Sequence, residues 1–292
     1  MAGTTTAPLR AACALAGLPS EGATLIREGE NALWRLPGGV VARIGRTGQA
    51  AAAARELAVA RWLFENRFPA VRPLESVPQP LDVDGRPVTF WHQLPPHAHG
   101  TAVDLAPLLR RLHRLPVPAL ELGRLDPFVR LGLRIDGAST LDPPERAWLR
   151  ERLAVLRGAW SGLPPGMPLG VVHGDAWGGN VAVTASTTYL LDFERTSLGP
   201  PEWDLAAVAV EQGVFDTTGP EEYAAFCEAY GTDVTAWAGY PVLRDLRELR
   251  LTCYALQLAA ADPDRHRAEA HHRLACLRGE KGPRPWHWTA VS

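Results

Sequence analysis

Residues Val171 to Glu194, VVHGDAWGGNVAVTASTTYLLDFE, decide the fold, because polar residues stand there between short apolar runs. The runs at 181–183 and 189–191 are separated by a Ser/Thr-rich segment, which predicts a β-hairpin. The hairpin would bring Asn180, before its first strand, close to Asp192, after its second. An amide oxygen and a carboxylate are hard ligands that suit Mg²⁺, and nucleotide phosphates can supply the other ligands. We therefore predict a Mg²⁺ site at Asn180 and Asp192.

The same stretch has the spacing H-x-D-x-x-x-x-N from His173 to Asn180, followed by a hydrophobic D-F-x at Asp192. This order resembles the catalytic and metal-binding motifs of protein-kinase-like phosphotransferases. Its form, HGDAWGGN with LDFE, is similar to the aminoglycoside phosphotransferase and choline kinase family. A polar turn between buried strands would use the same residue types, but two linked motifs in this order favour the phosphotransferase.

The resemblance spans roughly residues 25 to 280 and implies a bilobal α+β fold, with a strand-rich first lobe and a larger helical second lobe. It implies ATP or GTP with Mg²⁺ bound between the lobes, and transfer of the γ-phosphoryl group to a small-molecule hydroxyl. Asp175 would accept or orient the hydroxyl proton, and His173 would order the catalytic loop. Asp204, in the later sequence GPPEWDL, would begin a helix and brace that loop from behind.

Composition excludes several classes of protein. With 292 residues, 46% hydrophobic and 21% charged, the chain can bury a core for one large domain or two lobes. A net charge of -2 gives no electrostatic case for a nucleic-acid or membrane-surface partner. No apolar run approaches the roughly 18 residues of a membrane span, so we expect a cytoplasmic protein. The four cysteines are scattered and suggest neither a zinc site nor disulfides.

The first lobe departs from the family pattern. Short β-like runs between residues 25 and 44 predict antiparallel strands, but their first turn lacks a glycine-rich phosphate loop. The resemblance expects a lysine on the third strand, and Lys281 is the only lysine in the chain. An arginine would have to hold the phosphates instead, as a guanidinium can do bidentately. Strand alternation leaves Arg43 and Arg46 open, while alignment to the motif favours Arg43.

A helix is predicted at residues 51–64, where Ala53, Leu57, Ala60 and Phe64 form an apolar stripe. Its Glu56 would pair with Arg43, as the resemblance implies. A second hairpin leads to the inter-lobe hinge at the two prolines after residue 94. There the resemblance assigns nucleotide contacts to Trp91, His92, Gln93 and Leu94. We expect residues 1–94 to form the nucleotide-binding lobe, and residues 95–292 to carry the catalytic loop, the metal site and the acceptor site.

The second lobe is predicted to be mostly helical. Thr101 with Asp104 forms a capping box, and Asp142 with Pro143 starts another helix that ends near residue 162. Residues 116–141 between these helices read as loop. Later helices are predicted at 221–230, 242–260 and 265–278.

Between Arg195 and Arg244 the chain carries eight carboxylates and no lysine or arginine. Such a region would attract a cationic acceptor, for example an aminoglycoside-like antibiotic or an amino alcohol, with Glu211 and Asp216 as its contacts. Solvated helix faces explain many acidic runs equally well, so both interpretations stay open.

Two other functions are considered. A binuclear metal hydrolase could use His173 and Asp175 as ligands, but it would need further ligands in comparable motifs. A catalytically inactive binding protein of kinase-like fold would explain the arginine and the absent glycine-rich loop. It would not need Asp175, Asn180 and Asp192 together. A small-molecule kinase is therefore the preferred interpretation, with a sugar-like acceptor also open.

Overall fold

A computed structural model describes residues 5–29, 31–215 and 218–291. In chain order the helices and strands are α1 (Thr6–Ala16), β1 (Thr24–Glu28), β2 (Ala32–Leu36), β3 (Val40–Ile44), α2 (Ala50–Glu65), β4 (Leu81–Val83), β5 (Arg86–His92), β6 (His97–His99), α3 (Ala102–Leu112), α4 (Leu131–Gly137), α5 (Pro143–Ser161), β7 (Gly170–Val172), β8 (Val181–Thr184), β9 (Thr188–Leu190), β10 (Ser197–Gly199), α6 (Glu202–Val214), α7 (Pro220–Tyr230), α8 (Tyr240–Ala261) and α9 (Pro263–Leu277).

The chain divides into two compact units. The first comprises Met1–Gly123 and Gly178–Thr196, and the second comprises Arg124–Trp177 and Ser197–Ser292. The predicted division at residues 94–95 is one of function, with the nucleotide-binding lobe before it and the catalytic loop, metal site and acceptor site after it. This division stays a prediction. Among the described residues, no helix is both long and apolar enough to cross a membrane.

The main sheet of the first unit is antiparallel, with strand order β1-β2-β3-β5-β4, as the β-like runs predict. Along β3 the side chains alternate, so Val40, Ala42 and Ile44 enter the core with Trp34 and Phe90. The intervening Arg43 lies on the opposite face, where it is only partly buried. Alternation thus frees Arg43 from the apolar core and leaves it available for polar partners.

Helix α2 forms as predicted, but its predicted apolar stripe is wrong at one end. Leu57 and Ala60 are buried, together with Glu56, whereas Phe64 is 47% exposed. The guanidinium of Arg72 lies 4.8 Å from the centroid of the Phe64 ring, which gives this aromatic side chain a partner outside the core. Periodicity alone could not identify that partner, because Arg72 lies beyond the helix.

The predicted hairpin of the central stretch is confirmed. Strands β8 and β9 pair antiparallel, and β6 pairs with the other edge of β8. Gly178, three residues before β8, has no room for a side chain, because a Cβ there would collide with the backbone oxygen of Gly100. Helix α3 begins at the predicted capping box, in which Asp104 N donates to Thr101 Oγ1 at 3.3 Å.

The second unit contains the short β7–β10 pair and a helical core built from α4, α5, α6, α8 and α9. Predicted helices α5 to α9 are all present, with ends shifted by at most a few residues. The loop prediction for residues 116–141 is wrong at α4. Tertiary contacts explain this helix: Ile135 is fully buried, and Arg146 Nη1 donates to its carbonyl at 2.6 Å. Such stabilisation leaves no periodic signal in seven residues.

Candidate active site

The guanidinium of Arg43 lies among carboxylates of the first unit. Its Nη1 donates to Glu56 Oε1 in a very short contact, and its Nη2 donates to Glu194 Oε2 at 2.9 Å. Asp192 Oδ1 is 4.0 Å from the same Nη2. The pairing of Arg43 with Glu56, predicted from the sequence, is therefore present. Arg46, the alternative, is exposed.

Burial controls the electrostatics of this cluster. The Glu56 side chain is 6% exposed, and loss of hydration raises its pKa to about 7, with Asp192 and Glu194 adding to the rise and Arg43 opposing it. Burial alone would lower the pKa of Arg43, but the surrounding carboxylates outweigh it and raise that pKa. Arg43 therefore carries a fixed positive charge on the sheet.

Asn180 and Asp192 lie at adjacent strand ends, as the hairpin predicts. Asn180 closes a 3₁₀ turn just before β8, and Asp192 follows β9 by two residues. The amide of Leu191 donates to the Asn180 carbonyl at 2.9 Å, which joins the two ends. The Asp192 side chain is 41% exposed, and its backbone is left-handed, with φ 60. One amide oxygen and one accessible carboxylate fit a Mg²⁺ ion that takes its remaining ligands from phosphates and water.

The catalytic-loop segment follows β7 in the second unit and is held by α6. The fully buried carboxylate of Asp204 accepts from His173 N at 2.6 Å and from Gly174 N at 2.9 Å. The indole of Trp203 donates to the Gly174 carbonyl at 3.2 Å. Gly174 has φ 83, a backbone conformation that residues with a side chain rarely adopt. The predicted brace by Asp204 is thus present in the hydrogen bonds.

His173 lies inside this loop and makes a local contact. It is fully buried, and its Nδ1 accepts from Asp175 N at 3.3 Å. Since Nδ1 is the acceptor, this bond requires a tautomer that leaves Nδ1 unprotonated. The ring therefore orders the backbone at Asp175, while the catalytic role of Asp175 itself stays a prediction.

The predicted hinge residues lie at and beyond the end of β5. Trp91 is buried and donates to Thr89 Oγ1 at 2.9 Å, and His92 contacts Glu75 at 2.8 Å. Gln93 N donates to the Gly39 carbonyl at 2.8 Å, and Leu94 is half-buried. Each residue thus has a place in the first unit. Their contact with a nucleotide base stays a prediction.

One of the two predicted acceptor residues can be located. Glu211 lies half-buried on α6, and its pKa is raised to about 7, chiefly by burial. Arg247 opposes this rise of the pKa, and the charges of Asp175 and Glu222 add to it. Glu211 therefore shares an electrostatic environment with the predicted catalytic carboxylate. Asp216 lies outside the described residues.

Sequence reasoning missed two members of these clusters. Glu194 contacts Arg43, and the available signal was its position as the last residue of LDFE. Arg247 lies 4.0 Å from the ring centroid of Trp203 and donates to the Trp203 carbonyl at 2.7 Å. No local pattern marks Arg247, because its partner is more than 40 residues away in the chain.

The chain matches a protein-family model and is similar to several solved structures. A family model described as "Phosphotransferase enzyme family" matches residues 24–246. No curated protein matches the chain. Similar solved structures are a spectinomycin phosphotransferase in complex with ADP and spectinomycin (14% identity, TM-score 0.66, 96% of this chain and 95% of that one) and an amicoumacin kinase in complex with AMP-PNP and Ca²⁺ (15%, 0.71, 96% and 94%). A choline/ethanolamine kinase family protein from Mesorhizobium loti is also similar (23%, 0.63, 95% and 94%). These likenesses confirm the bilobal α+β kinase-like fold.

Glu211→Gln tests the electrostatics of the acceptor region. The folded-state pKa of Glu211, about 7, is above the ordinary value of 4.5, so the folded protein binds more protons than the unfolded chain between these pH values. Stability contributed by this group therefore falls as pH rises through that window. We expect Glu211→Gln to raise the thermal unfolding midpoint relative to wild type at pH 8 and to bring little gain at pH 4.5. Exposed Glu228→Gln is the control. The same offset at both pH values would contradict the assignment.

Proposed function

This chain belongs to the phosphotransferase enzyme family, and on that premise we propose that it is a small-molecule kinase. It transfers the γ-phosphoryl group of MgATP or MgGTP to a hydroxyl of an amine-bearing or sugar-like acceptor. The observation that carries the proposal is the loop from His173 to Asp175, fixed by Asp204 in the motif spacing of the family. An inactive binding protein would have no need of this fixed loop together with Asn180 and Asp192.

We assign to Asp175 the role of accepting the proton of the acceptor hydroxyl. As the hydroxyl oxygen attacks the γ-phosphorus, its proton moves to the Asp175 carboxylate, and the bond from phosphorus to the leaving oxygen breaks. His173 and Asp204 contribute by holding the backbone on either side of Gly174, so that the carboxylate is positioned before the acceptor arrives. These residues are positioning groups for Asp175.

The nucleotide is assigned to groups of the first unit. Asn180 and Asp192 would hold Mg²⁺, which supplies charge neutralisation of the phosphates when bound. Arg43 would contact phosphate through its planar fork, and Glu56 orients that fork. Trp91, His92, Gln93 and Leu94 stay the proposed residues for the base.

The acceptor is proposed to carry a positive charge. Glu211 and Glu222 add negative charge to the surroundings of Asp175, and Arg247 offsets part of it. The described part of the acidic run therefore suits an ammonium group close to the reacting hydroxyl. Asp216 remains a proposed second contact. The similar solved kinases carry the names spectinomycin phosphotransferase and choline/ethanolamine kinase family, which makes aminoglycoside-like antibiotics and amino alcohols the first compounds to test.

A phosphorylation screen tests the function. Purified protein would be incubated with ATP or GTP, Mg²⁺ and panels of aminoglycosides, nucleoside antibiotics, amino alcohols and sugars, with mass spectrometry detecting an added phosphoryl group. Phosphorylation of one class supports the proposal and defines the acceptor. Nucleotide binding without transfer to any panel would favour the inactive binding protein.

Asp175→Asn should lower kcat by about 10² to 10⁴ while nucleotide affinity persists, because the change removes the proton acceptor and keeps the shape. Steady-state kinetics with the acceptor found above and calorimetric titration with MgATP give the two values. Asp264→Asn, an exposed substitution on α9, is the control. A loss below about tenfold in the Asp175 variant would be incompatible with its assigned role.

Asp192→Ala should greatly weaken binding of the magnesium nucleotide, because it removes the charged ligand of the proposed metal pair. Calorimetric titrations with ATP in the presence of Mg²⁺ and of EDTA separate the metal-dependent part of the affinity. We expect the wild-type gain from Mg²⁺ to be lost in the variant. An unchanged gain would place the metal elsewhere.

A further inference from the structure

The phosphate-facing cation of the proposed site already has partners at each end of its fork. Arg43 Nη1 bonds Glu56, and Nη2 bonds Glu194 at 2.9 Å. With its amide oriented to satisfy both polar atoms, Asn31 also accepts from Nη2 at 2.7 Å and from Nε at 3.2 Å. These contacts use both N–H groups of Nη2 and the one of Nε, so a nucleotide phosphate can bond that edge of the guanidinium only by replacing one of these partners.

The three partners differ in how easily they can leave. Glu56 projects from α2 and its side chain is 6% exposed, so moving it would strand a buried charge. Asn31 is neutral and follows the turn between β1 and β2. Glu194 is charged, its side chain is 36% exposed, and it lies in the segment after β9. Because its carboxylate is accessible to water, Glu194 is the charged partner that can leave Arg43 at low free-energy cost.

The backbone and the side chain of Glu194 have separate contacts. Its carbonyl accepts from Arg55 Nη2 at 3.4 Å, while its carboxylate bonds Arg43. Rotation of the side chain can therefore release Arg43 without moving the chain. The anionic carboxylate at Nη2 has the charge and the acceptor geometry that a phosphate oxygen would present there.

We propose that Glu194 is a gating residue that occupies the phosphate position on Arg43 when no nucleotide is bound, and that a nucleotide phosphate displaces it. The inference rests on the proposed function, because it requires that Arg43 contacts a phosphate. Glu194 thereby lowers the affinity for nucleotide and discriminates against anions too weak to displace it. Displacement exchanges one ion pair for another and breaks no covalent bond.

The net charge of the cluster explains why Mg²⁺ should change the effect of Glu194 on nucleotide affinity. One guanidinium faces three carboxylates, those of Glu56, Asp192 and Glu194, so the cluster is net negative before nucleotide arrives. A phosphate without Mg²⁺ meets the repulsion of Asp192 and Glu194. With Mg²⁺ bound at Asp192, that repulsion is reduced. The effect of Glu194 on affinity should therefore be largest for metal-free nucleotide.

Glu194→Gln tests the gate, because it keeps the shape and removes the competing charge. Calorimetric titration with ATP in EDTA should show about two- to fivefold tighter binding than wild type, the range expected for a partly exposed ion pair. Glu65→Gln, an exposed change at the end of α2, is the matched control and should bind like wild type. In an Arg43→Ala background Glu194→Gln should bring a clearly smaller gain, since only the direct repulsion between Glu194 and phosphate is then removed.

Unchanged or weaker binding of metal-free ATP by Glu194→Gln would overturn the inference, as would a gain of equal size without Arg43. Weaker binding confined to MgATP, with tighter binding of metal-free ATP, would still support the gate and add a metal contact. If wild type binds ATP neither with nor without Mg²⁺, the proposed function fails and the gate falls with it. Binding by wild type without a gain in Glu194→Gln overturns the gate alone.

Discussion

The buried ion pair between Arg43 on β3 and Glu56 on α2 is the constraint on which the proposed nucleotide-binding half of the site depends. Desolvating two charges costs more than a surface pair returns, so such a pair is a poor device for stability alone. Removing Glu56 would take a partner from the largely buried charge of Arg43, and removing Arg43 would take away the interaction that opposes the raised pKa of Glu56. The pair therefore fixes the helix to the strand and presents the second edge of the fork, where Glu194 now bonds.

The loop from His173 to Asp175 also depends on a buried charged group, in this case the carboxylate of Asp204. Two backbone N–H groups donate to the buried Asp204 carboxylate and stabilise its charge. Its place in the first turn of α6 adds the favourable end of the helix dipole. Because the donating N–H groups belong to His173 and Gly174, the hydrogen bonds that stabilise the carboxylate also fix the backbone that leads into Asp175.

Sequence predicted the parts of this account that rest on local rules. The β8–β9 hairpin follows from two apolar runs with a Ser/Thr-rich segment between them, and the start of α3 follows from the capping box at Thr101. The Arg43–Glu56 pair was implied by the family resemblance, since strand alternation alone left Arg43 and Arg46 open. The failures have a common cause in long-range contacts. Arg146 donates a hydrogen bond to a backbone carbonyl of helix α4, and Phe64 lies outside the core with its ring against the guanidinium of Arg72. Glu194 lay inside the quoted motif, but its bond spans 151 residues, so its position in the motif did not identify Arg43 as its partner.

The central claim is that an arginine, oriented by Glu56, replaces the expected lysine as the phosphate clamp. A double-mutant cycle in kcat/KM for the nucleotide tests it, using Arg43→Lys, Glu56→Ala and the combined variant. Lysine supplies a point charge in place of a planar fork, so it should not restore the clamp. We expect each single change to lower kcat/KM substantially, and the double variant to be little worse than either. Wild-type efficiency in Arg43→Lys, or losses that simply add, would contradict the account.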